Sequence, residues 1–172
     1  MSSNRNTNYE HFMKKALEQA QNALDAGEFP VGCVLVHQNR VLATGARKGT
    51  AGQYPNEIEH AEMMALKRLA DMEIAANSME IVLYTTMEPC LMCLGAMMLS
   101  GIRKVVYAYE DVMGGGTRCD LSKMTPLYKN NGITIVPHIM RQESLTLFKT
   151  FFNNLENSYW QNSLLAQYTI QQ

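Results

Sequence analysis

Two cysteines, one histidine and one glutamate near the middle of the chain have the residue types and the spacing of a metal site. Cys90 and Cys93 are separated by two residues, and His60 and Glu62 lie on either side of a single alanine. Thiolate sulfur and imidazole nitrogen are preferred zinc ligands, and a catalytic zinc keeps three protein ligands and an open position for water. The pattern therefore predicts one Zn²⁺ per chain, bound by His60, Cys90 and Cys93.

Glu62 adds a group that can move protons at this predicted site. Two thiolate ligands make the zinc centre neutral, so a nearby carboxylate is needed to take a proton from water and deliver it to a substrate. Glu62 follows His60 by two residues and is expected on the same first turn of a helix. We therefore predict that Glu62 is the catalytic acid and base and that it is not a ligand.

The surrounding sequence predicts the elements that must hold these residues. Apolar residues recur at helical spacing in four regions: 9–26, 60–70, 90–99 and, as one or two helices, 142–165. Short runs rich in branched and aromatic residues predict five strands: 31–36, 41–44, 81–85, 105–109 and 133–136. The first two strands form a hairpin, and the later strands alternate with helices. The predicted fold class is α/β, a three-layer α/β/α arrangement around a mixed sheet of about five strands.

The predicted helices explain why the ligand residues would meet. His60 and Cys90 each lie where a loop or strand leads into a helix, and Pro89 favours a sharp helix start. Two helix N-termini would then point at one spot. Their positive ends would stabilise the thiolates of Cys90 and Cys93.

Composition restricts the broad class of protein. The chain has 172 residues, 47% of them hydrophobic, which predicts a single domain at residues 9–172. Residues 1–8 have no apolar core and are predicted to be a disordered leader. The formal net charge of -1 provides no positive field for nucleic acid. We expect no membrane partner, because no apolar stretch is long enough to span a bilayer. The N-terminus does not resemble a secretory signal, so a cytoplasmic location is predicted.

These residues resemble the zinc-dependent cytidine deaminase superfamily. The combination of His-x-Glu at residues 60–62 with Pro-Cys-x-x-Cys at residues 89–93 is the known signature of these enzymes. The resemblance covers roughly residues 9–153. It extends to the branch of guanine deaminases and tRNA wobble-adenosine deaminases in three segments: 29–32, 60–66 and 86–97.

The resemblance implies a cytidine deaminase-like fold, a homodimer and a hydrolytic reaction. Its ligand triad corresponds to His60, Cys90 and Cys93, and its proton shuttle corresponds to Glu62. In the implied reaction, water activated at the metal attacks a ring carbon that carries an exocyclic amine. Glu62 protonates the ring nitrogen and then the leaving amine, and ammonia departs.

The chain departs from this family in two places that concern the substrate. Arg47 occupies the position of a base-binding Asn in purine deaminases, and Asn56 in the longer loop is an alternative replacement. The stretch 153–172 contains no Lys or Arg, whereas bacterial tRNA deaminases tend to end in a basic helix. We therefore expect weak tRNA binding, and we predict that Arg47 pairs with a carboxylate or phosphate on a small substrate.

Four further residues are predicted near the substrate: Phe29, Val31, Ala61 and Glu88. A core role is an equally good interpretation for Phe29. The alternative for Glu88 is a structural carboxylate that accepts hydrogen bonds from backbone donors near the helix start.

The predicted function is a zinc-dependent hydrolytic deaminase of a small nucleobase-like heterocycle, such as a purine. The first alternative is a tRNA-specific adenosine deaminase that makes inosine. The second is a non-catalytic zinc or nucleic-acid-binding module. A structural zinc site would need a fourth ligand, for which there are four candidates: Cys33, His37, Cys119 and His138. A redox pair of Cys90 and Cys93 is a further alternative, although it would not require the His-x-Glu motif.

Overall fold

A computed structural model describes residues 2–72 and 76–172, with only the backbone described for residues 2–7. Its five-stranded sheet has the order β2-β1-β3-β4-β5. The strands have these bounds: β1 Gly32–His37, β2 Arg40–Ala46, β3 Val82–Met87, β4 Lys104–Tyr109 and β5 Thr134–Val136. Strand β1 pairs antiparallel with β2 and β3, and β3, β4 and β5 are parallel. The prediction of a mixed sheet of about five strands is confirmed.

Six α-helices accompany the sheet in the described residues: α1 Ser2–Asp25, α2 Ala61–Ala70, α3 Leu91–Leu99, α4 Pro126–Lys129, α5 Arg141–Asn153 and α6 Leu164–Gln171. Residues 2–8, expected as part of a disordered leader, continue α1, and residue 1 lies outside the described residues. The organisation of residues 9–172 as one domain stays a prediction. The helical region predicted at 142–165 is interrupted by turns between α5 and α6.

Side chains alternate between the two faces of the sheet, as the two-residue period of a strand requires. In β1, Val34 and Val36 belong to a core cluster with Phe12 and Met13 of α1. The intervening residues of β1 belong to a second cluster, which contains residues of α2 and α3. Helices therefore cover both faces of the sheet, and the predicted three-layer α/β/α architecture is confirmed.

The site lies where the parallel strands β3 and β4 end. Strand β3 leads through Glu88 and Pro89 into α3, and β4 leads into Glu110 and Asp111. The carboxyl ends of parallel strands are the usual place for ligand binding in open α/β sheets. Gly45 of β2 brings α2 to the same edge, since a Cβ at Gly45 would lie 1.9 Å from the carbonyl oxygen of Ala61.

Within the part of the chain that the structure describes, no helix combines the length and the apolar character needed to cross a membrane.

Candidate active site

Three predicted ligands meet at the N-termini of two helices. His60 is the N-cap of α2, Cys90 is the N-cap of α3, and Cys93 lies in the first turn of α3. The Nδ1 atom of His60 lies 3.6 Å from the Sγ atom of Cys90 and 3.5 Å from that of Cys93. Neither N-cap side chain caps its own helix, so both are directed to the shared point.

These distances fit a tetrahedral zinc ion. Zn–N bonds of about 2.1 Å and Zn–S bonds of about 2.3 Å at a tetrahedral angle place nitrogen and sulfur roughly 3.6 Å apart. Among the side chains of residues 8–72 and 76–172, the group has three members, so the four candidate fourth ligands lie outside it. Cys33 is buried in the core, and Cys119 is exposed. The geometry therefore fits an open site with three protein ligands.

The contacts around the sulfurs alter their acidity. The hydrogen bond with Cys93, together with the contact with His60, lowers the pKa of Cys90 to about 4. The same bond with Cys90, together with burial, raises the pKa of Cys93. Burial lowers the pKa of His60, but the contact with Cys90 and the charge of Glu62 outweigh burial and raise it. Zinc binding would displace the proton of the hydrogen bond between Cys90 and Cys93, because cysteine binds zinc as thiolate.

Glu62 lies beside the ligands and is held in a fixed orientation. Its side chain is buried, and its Oε1 atom accepts a hydrogen bond of 2.8 Å from the hydroxyl of Thr85 on β3. Its Oε2 atom lies 3.6 Å from the sulfur of Cys93. Burial raises the pKa of Glu62, and the charge of His60 offsets this only in part. A raised pKa suits a carboxyl group that must both take and give protons near neutrality.

A pocket with about 490 Å³ of empty space, part of it open to solvent, lies in front of these groups. All nine predicted site residues except Cys93 line it, together with five residues that were not predicted: Met87, Asp111, Gly114, Tyr159 and Trp160. Phe29 lines the pocket and also packs against aromatic residues of the core, and its substrate role stays a prediction. Asn56 lies outside the lining, and its side chain accepts hydrogen bonds from the backbone of Ile58 and Glu59.

Tyr159 and Trp160 form an aromatic wall of the pocket that sequence reasoning missed. Their rings stack with centroids 5.0 Å apart and planes within 10°. Both rings meet Phe29 edge-on, at centroid distances of 5.4 and 5.7 Å. The only signal was a Tyr-Trp pair in a stretch that was predicted helical.

Arg47 reaches the pocket as predicted, but its terminal nitrogens are already occupied. Nη1 donates to the carbonyl oxygens of Lys48 and Asn56, at 2.9 and 2.8 Å. Nη2 donates to Glu57 at 3.0 Å and to the hydroxyl of Tyr159 at 3.4 Å. These four contacts use all four hydrogens on the terminal nitrogens. The geometry therefore does not favour the predicted pairing of Arg47 with a substrate carboxylate or phosphate.

Glu88 holds the loop that follows β4, which contains three consecutive glycines at residues 114–116, against the site. Its carboxylate accepts hydrogen bonds from the hydroxyl of Thr117 and from the backbone nitrogens of Thr117 and Asp111. The loop passes so close that a Cβ at Gly115 would lie 2.5 Å from the carboxyl carbon of Glu88. The backbone donors that Glu88 satisfies therefore lie in the loop after β4 and not at the helix start, and its predicted substrate role stays a prediction.

The loop places Asp111 in the pocket lining. Its Oδ1 atom accepts hydrogen bonds from the backbone nitrogens of Met113 and Gly114, both at 2.9 Å. Burial and the nearby charge of Glu88 raise its pKa, although these two hydrogen bonds lower it. Oδ2 accepts no hydrogen bond from the described residues and could meet a donor on a ligand. The position of Asp111, just past the end of a parallel strand, was the signal for this residue.

The family of the chain follows from comparison of its sequence with known proteins. Residues 6–109 match the model for the cytidine and deoxycytidylate deaminase zinc-binding region. The chain belongs to this deaminase family. The zinc-binding region of this family agrees with the ligand group of His60, Cys90 and Cys93, and the cofactor of the protein is zinc.

Two relatives of this deaminase have names that refer to tRNA. The chain is 34% identical over 152 residues to tRNA-specific adenosine deaminase 2 of Xenopus tropicalis, covering 83% of this chain and 88% of the relative. It is 32% identical over 156 residues to tRNA-specific adenosine deaminase of Buchnera aphidicola subsp. Schizaphis graminum (strain Sg), covering 90% and 98%. These relatives support a hydrolytic deaminase over the alternative of a non-catalytic module.

Solved structures confirm the cytidine deaminase-like fold. One comes from a study of A-to-I editing by tRNA wobble-position deaminases, with a TM-score of 0.62, 26% identity and coverage of 80% of this chain and 98% of that chain. Another is a mutant of the protein NE0047 in complex with 8-azaguanine, with a TM-score of 0.67, 22% identity and coverage of 83% and 84%. At this identity the second likeness shows the fold alone.

Proposed function

We propose that the protein is a zinc-dependent hydrolytic deaminase of a small nucleobase-like heterocycle, such as a purine, and that it releases ammonia. The observation that carries the proposal is the stacked pair of Tyr159 and Trp160, which lines the same pocket as His60 and Glu62. Aromatic faces stack on planar rings of any base. A wall at this place favours one planar ring as the occupant.

Glu62 performs the proton transfers in the proposed reaction. Zinc, when bound, supplies a Lewis acid that lowers the pKa of water. Glu62 takes a proton from the attacking water, whose oxygen bonds to the ring carbon carrying the amine. Glu62 then protonates the ring nitrogen. The second water proton passes to the amine, the C–N bond breaks, and ammonia leaves behind a ring carbonyl. The bond from Thr85 keeps one oxygen of Glu62 fixed while the other moves protons.

The charges in the pocket support a neutral ring with N–H groups as the substrate. Three carboxylates line it, those of Glu62, Glu88 and Asp111, and the positive charge of Arg47 is already paired with Glu57. Asp111 keeps one oxygen for a donor on the ring. A phosphate group would face repulsion from these carboxylates when they are ionised, because like charges repel at short distance.

Deamination of tRNA adenosine to inosine is the second candidate. It is supported by two relatives named tRNA-specific adenosine deaminases, which this chain matches over most of their length. The absence of Lys and Arg from residues 153–172 argues against this candidate, because phosphate contacts dominate affinity for nucleic acid.

An ammonia-release screen with zinc-loaded protein separates the two candidates. The substrates are purine and pyrimidine bases, their nucleosides, triazines, pterins and a tRNA anticodon stem. We expect release from at least one free heterocycle, and no release with Glu62→Ala. Release from the anticodon stem alone would favour the tRNA candidate, and no release from any substrate would contradict both.

We further propose that the chain forms a homodimer in the cytoplasm. Helix α3 supports the dimer, since Leu91 and Leu99 at its two ends are 53% and 63% exposed. The free state of Cys33, Cys90, Cys93 and Cys119 supports a reducing compartment. Light scattering of the wild type and of Leu99→Lys would test the dimer, and cell fractionation would test the location.

A further inference from the structure

Arg47 connects two segments that are far apart in sequence. Its side chain is 2% exposed, and it bonds to the loop that precedes α2 through Lys48, Asn56 and Glu57. It also contacts the hydroxyl of Tyr159, which lies in the turns between α5 and α6. The guanidinium group therefore joins the loop before the ligand His60 to the segment that walls the pocket.

Glu57 closes a triangle with these two residues. Its Oε2 atom accepts from Nη2 of Arg47 at 3.0 Å and from the hydroxyl of Tyr159 at 2.9 Å. The side chain of Glu57 is 49% exposed, so the triangle lies at the edge of the pocket. We call Arg47, Glu57 and Tyr159 the latch.

The remaining polar contacts of Tyr159 are local. Its backbone nitrogen donates to the side chain of Asn157 at 2.9 Å, and its carbonyl accepts from the same side chain at 3.5 Å. Among the described residues, the latch is therefore the polar link between Tyr159 and the loop 48–57. The contact of Tyr159 with Phe29 is between the two rings. Because Trp160 stacks on Tyr159, the orientation of one ring restricts the other.

We propose that the latch fixes the Tyr159–Trp160 pair in the pocket lining, and that Arg47 is a positioning residue which confines the site to a free planar ring. The confinement of the substrate rests on the proposed function, whereas the mechanical role of the latch does not. An arginine is required because it can donate to four acceptors in one plane while its charge balances Glu57. A lysine has the charge but lacks the planar arrangement of donors.

The wall can be observed without any substrate, because Trp160 is the one tryptophan in the chain. Acrylamide quenching of its fluorescence in the zinc-loaded protein measures how accessible the Trp160 ring is to solvent. We expect Arg47→Met, Glu57→Gln and Tyr159→Phe each to raise the quenching constant by about twofold, as local opening becomes more frequent. Circular dichroism and zinc content should stay at wild-type values.

Tyr159→Phe is the mildest of these variants, since it removes one hydroxyl and keeps the stacked ring. Its matched control is Tyr54→Phe in the loop 48–57, where the side chain is 86% exposed. Because the latch residues act as a unit, the quenching constant of the double variant Arg47→Met with Tyr159→Phe should be no higher than that of Arg47→Met alone. Unchanged quenching in Glu57→Gln and Tyr159→Phe would overturn the latch, even if Arg47→Met failed to fold.

Kinetics on a free base that is active in the ammonia screen test the confinement of the substrate. Each latch variant should raise KM about threefold to tenfold, the loss expected for one hydrogen bond, and leave kcat near the wild-type value. Arg47→Lys should not restore KM. The preference for the base over its nucleoside should fall by a similar factor.

The two arms fail in different ways. If no free base is deaminated, the proposed function fails while the quenching data still decide the latch. If Arg47→Met raises KM but Tyr159→Phe and Glu57→Gln do not, Arg47 binds substrate directly and the positioning role is wrong.

Discussion

The two sides of the pocket are built from different kinds of structure. On the metal side, His60 and Cys90 are N-caps of helices, and Glu62 is held by Thr85 of the central strand β3. The second side consists of Tyr159 and Trp160 from the turns between α5 and α6, and Arg47 contacts both Tyr159 and the loop that precedes α2. The reacting groups therefore stand on regular elements, and the groups that surround the substrate stand on irregular ones.

This difference separates the reaction from its specificity. Helix termini and strands hold these groups, since His60 and Cys90 are helix N-caps and the hydroxyl of Thr85 on β3 donates to Glu62. Loops can change length and side chains while the sheet stays intact. A shared fold can therefore keep hydrolytic deamination and change the substrate through the wall alone. Variants on the two sides should consequently have effects of different kinds.

The largest effect is expected on the metal side. Cys90→Ala removes one of three ligands, so zinc content should fall from about one per chain to near zero, with loss of ammonia release. Cys119→Ala is the matched control, because this thiol is exposed and lies outside the ligand group. Elemental analysis of the purified variants gives the measurement. Full zinc content in Cys90→Ala would contradict the ligand assignment.

Glu62→Gln should separate proton transfer from metal binding. Glutamine can still accept the hydrogen bond from Thr85 but cannot carry the proton, so kcat should fall by about 10²–10⁴ with zinc content unchanged. Glu59→Gln, one residue before His60, changes a carboxylate outside the pocket lining and should keep normal kcat. A kcat within tenfold of the wild type would show that another group moves the protons.

The metal side was predictable from the sequence, because its residues are tied to local patterns. A ligand at a helix N-terminus can be located from the start of an apolar period, and the spacing of Cys90 and Cys93 places both on one end of α3. The sheet followed in the same way from short branched runs. The predicted strands differ from the observed ones by only a few residues at their ends.

The wall was not predictable, because it depends on long-range contacts. Tyr159 and Trp160 lie in a stretch with helical spacing, and the break between α5 and α6 there was predicted only as one of two alternatives. Arg47 lines the pocket, but the sequence could not reveal that Glu57 and Tyr159 would occupy its donors. A donor count requires partners that are distant in the chain.

Asp111 also lines the pocket, and its substitution should have an intermediate effect. Asp111→Asn replaces one carboxylate oxygen with an amide donor, so a substrate N–H that met this oxygen loses its acceptor. We expect kcat/KM for such a ring to fall about tenfold and zinc content to stay normal. Asp71→Asn, at the C-terminus of α2, serves as the control. Equal kcat/KM for every active ring would remove Asp111 from recognition.

The smallest effect concerns the helices on either side of the wall, which are joined to the sheet by a second set of contacts. Glu110, at the end of β4, accepts hydrogen bonds from Arg141 of α5 and from Tyr168 of α6, the latter at 2.6 Å. Burial of the carboxylate raises the pKa of Glu110, but the bonds from Arg141 and Tyr168 outweigh burial and lower it to about 2. The unfolded chain has the ordinary value near 4.5.

Stability measured against pH tests this anchoring of α5 and α6. Because the folded state lowers the pKa, the stabilisation by ionised Glu110 is complete above about pH 5 and is lost as pH falls toward 2. Arg141 is 27% exposed, so Glu110→Gln should reduce the free energy of unfolding by only about 1–2 kcal/mol at neutral pH. Denaturant titrations should show this difference shrinking below pH 5, with zinc content unchanged and with Glu143→Gln as control. A difference that stays constant with pH would assign the loss to packing, and a loss of zinc would mean that the anchoring of α5 and α6 reaches the metal side as well.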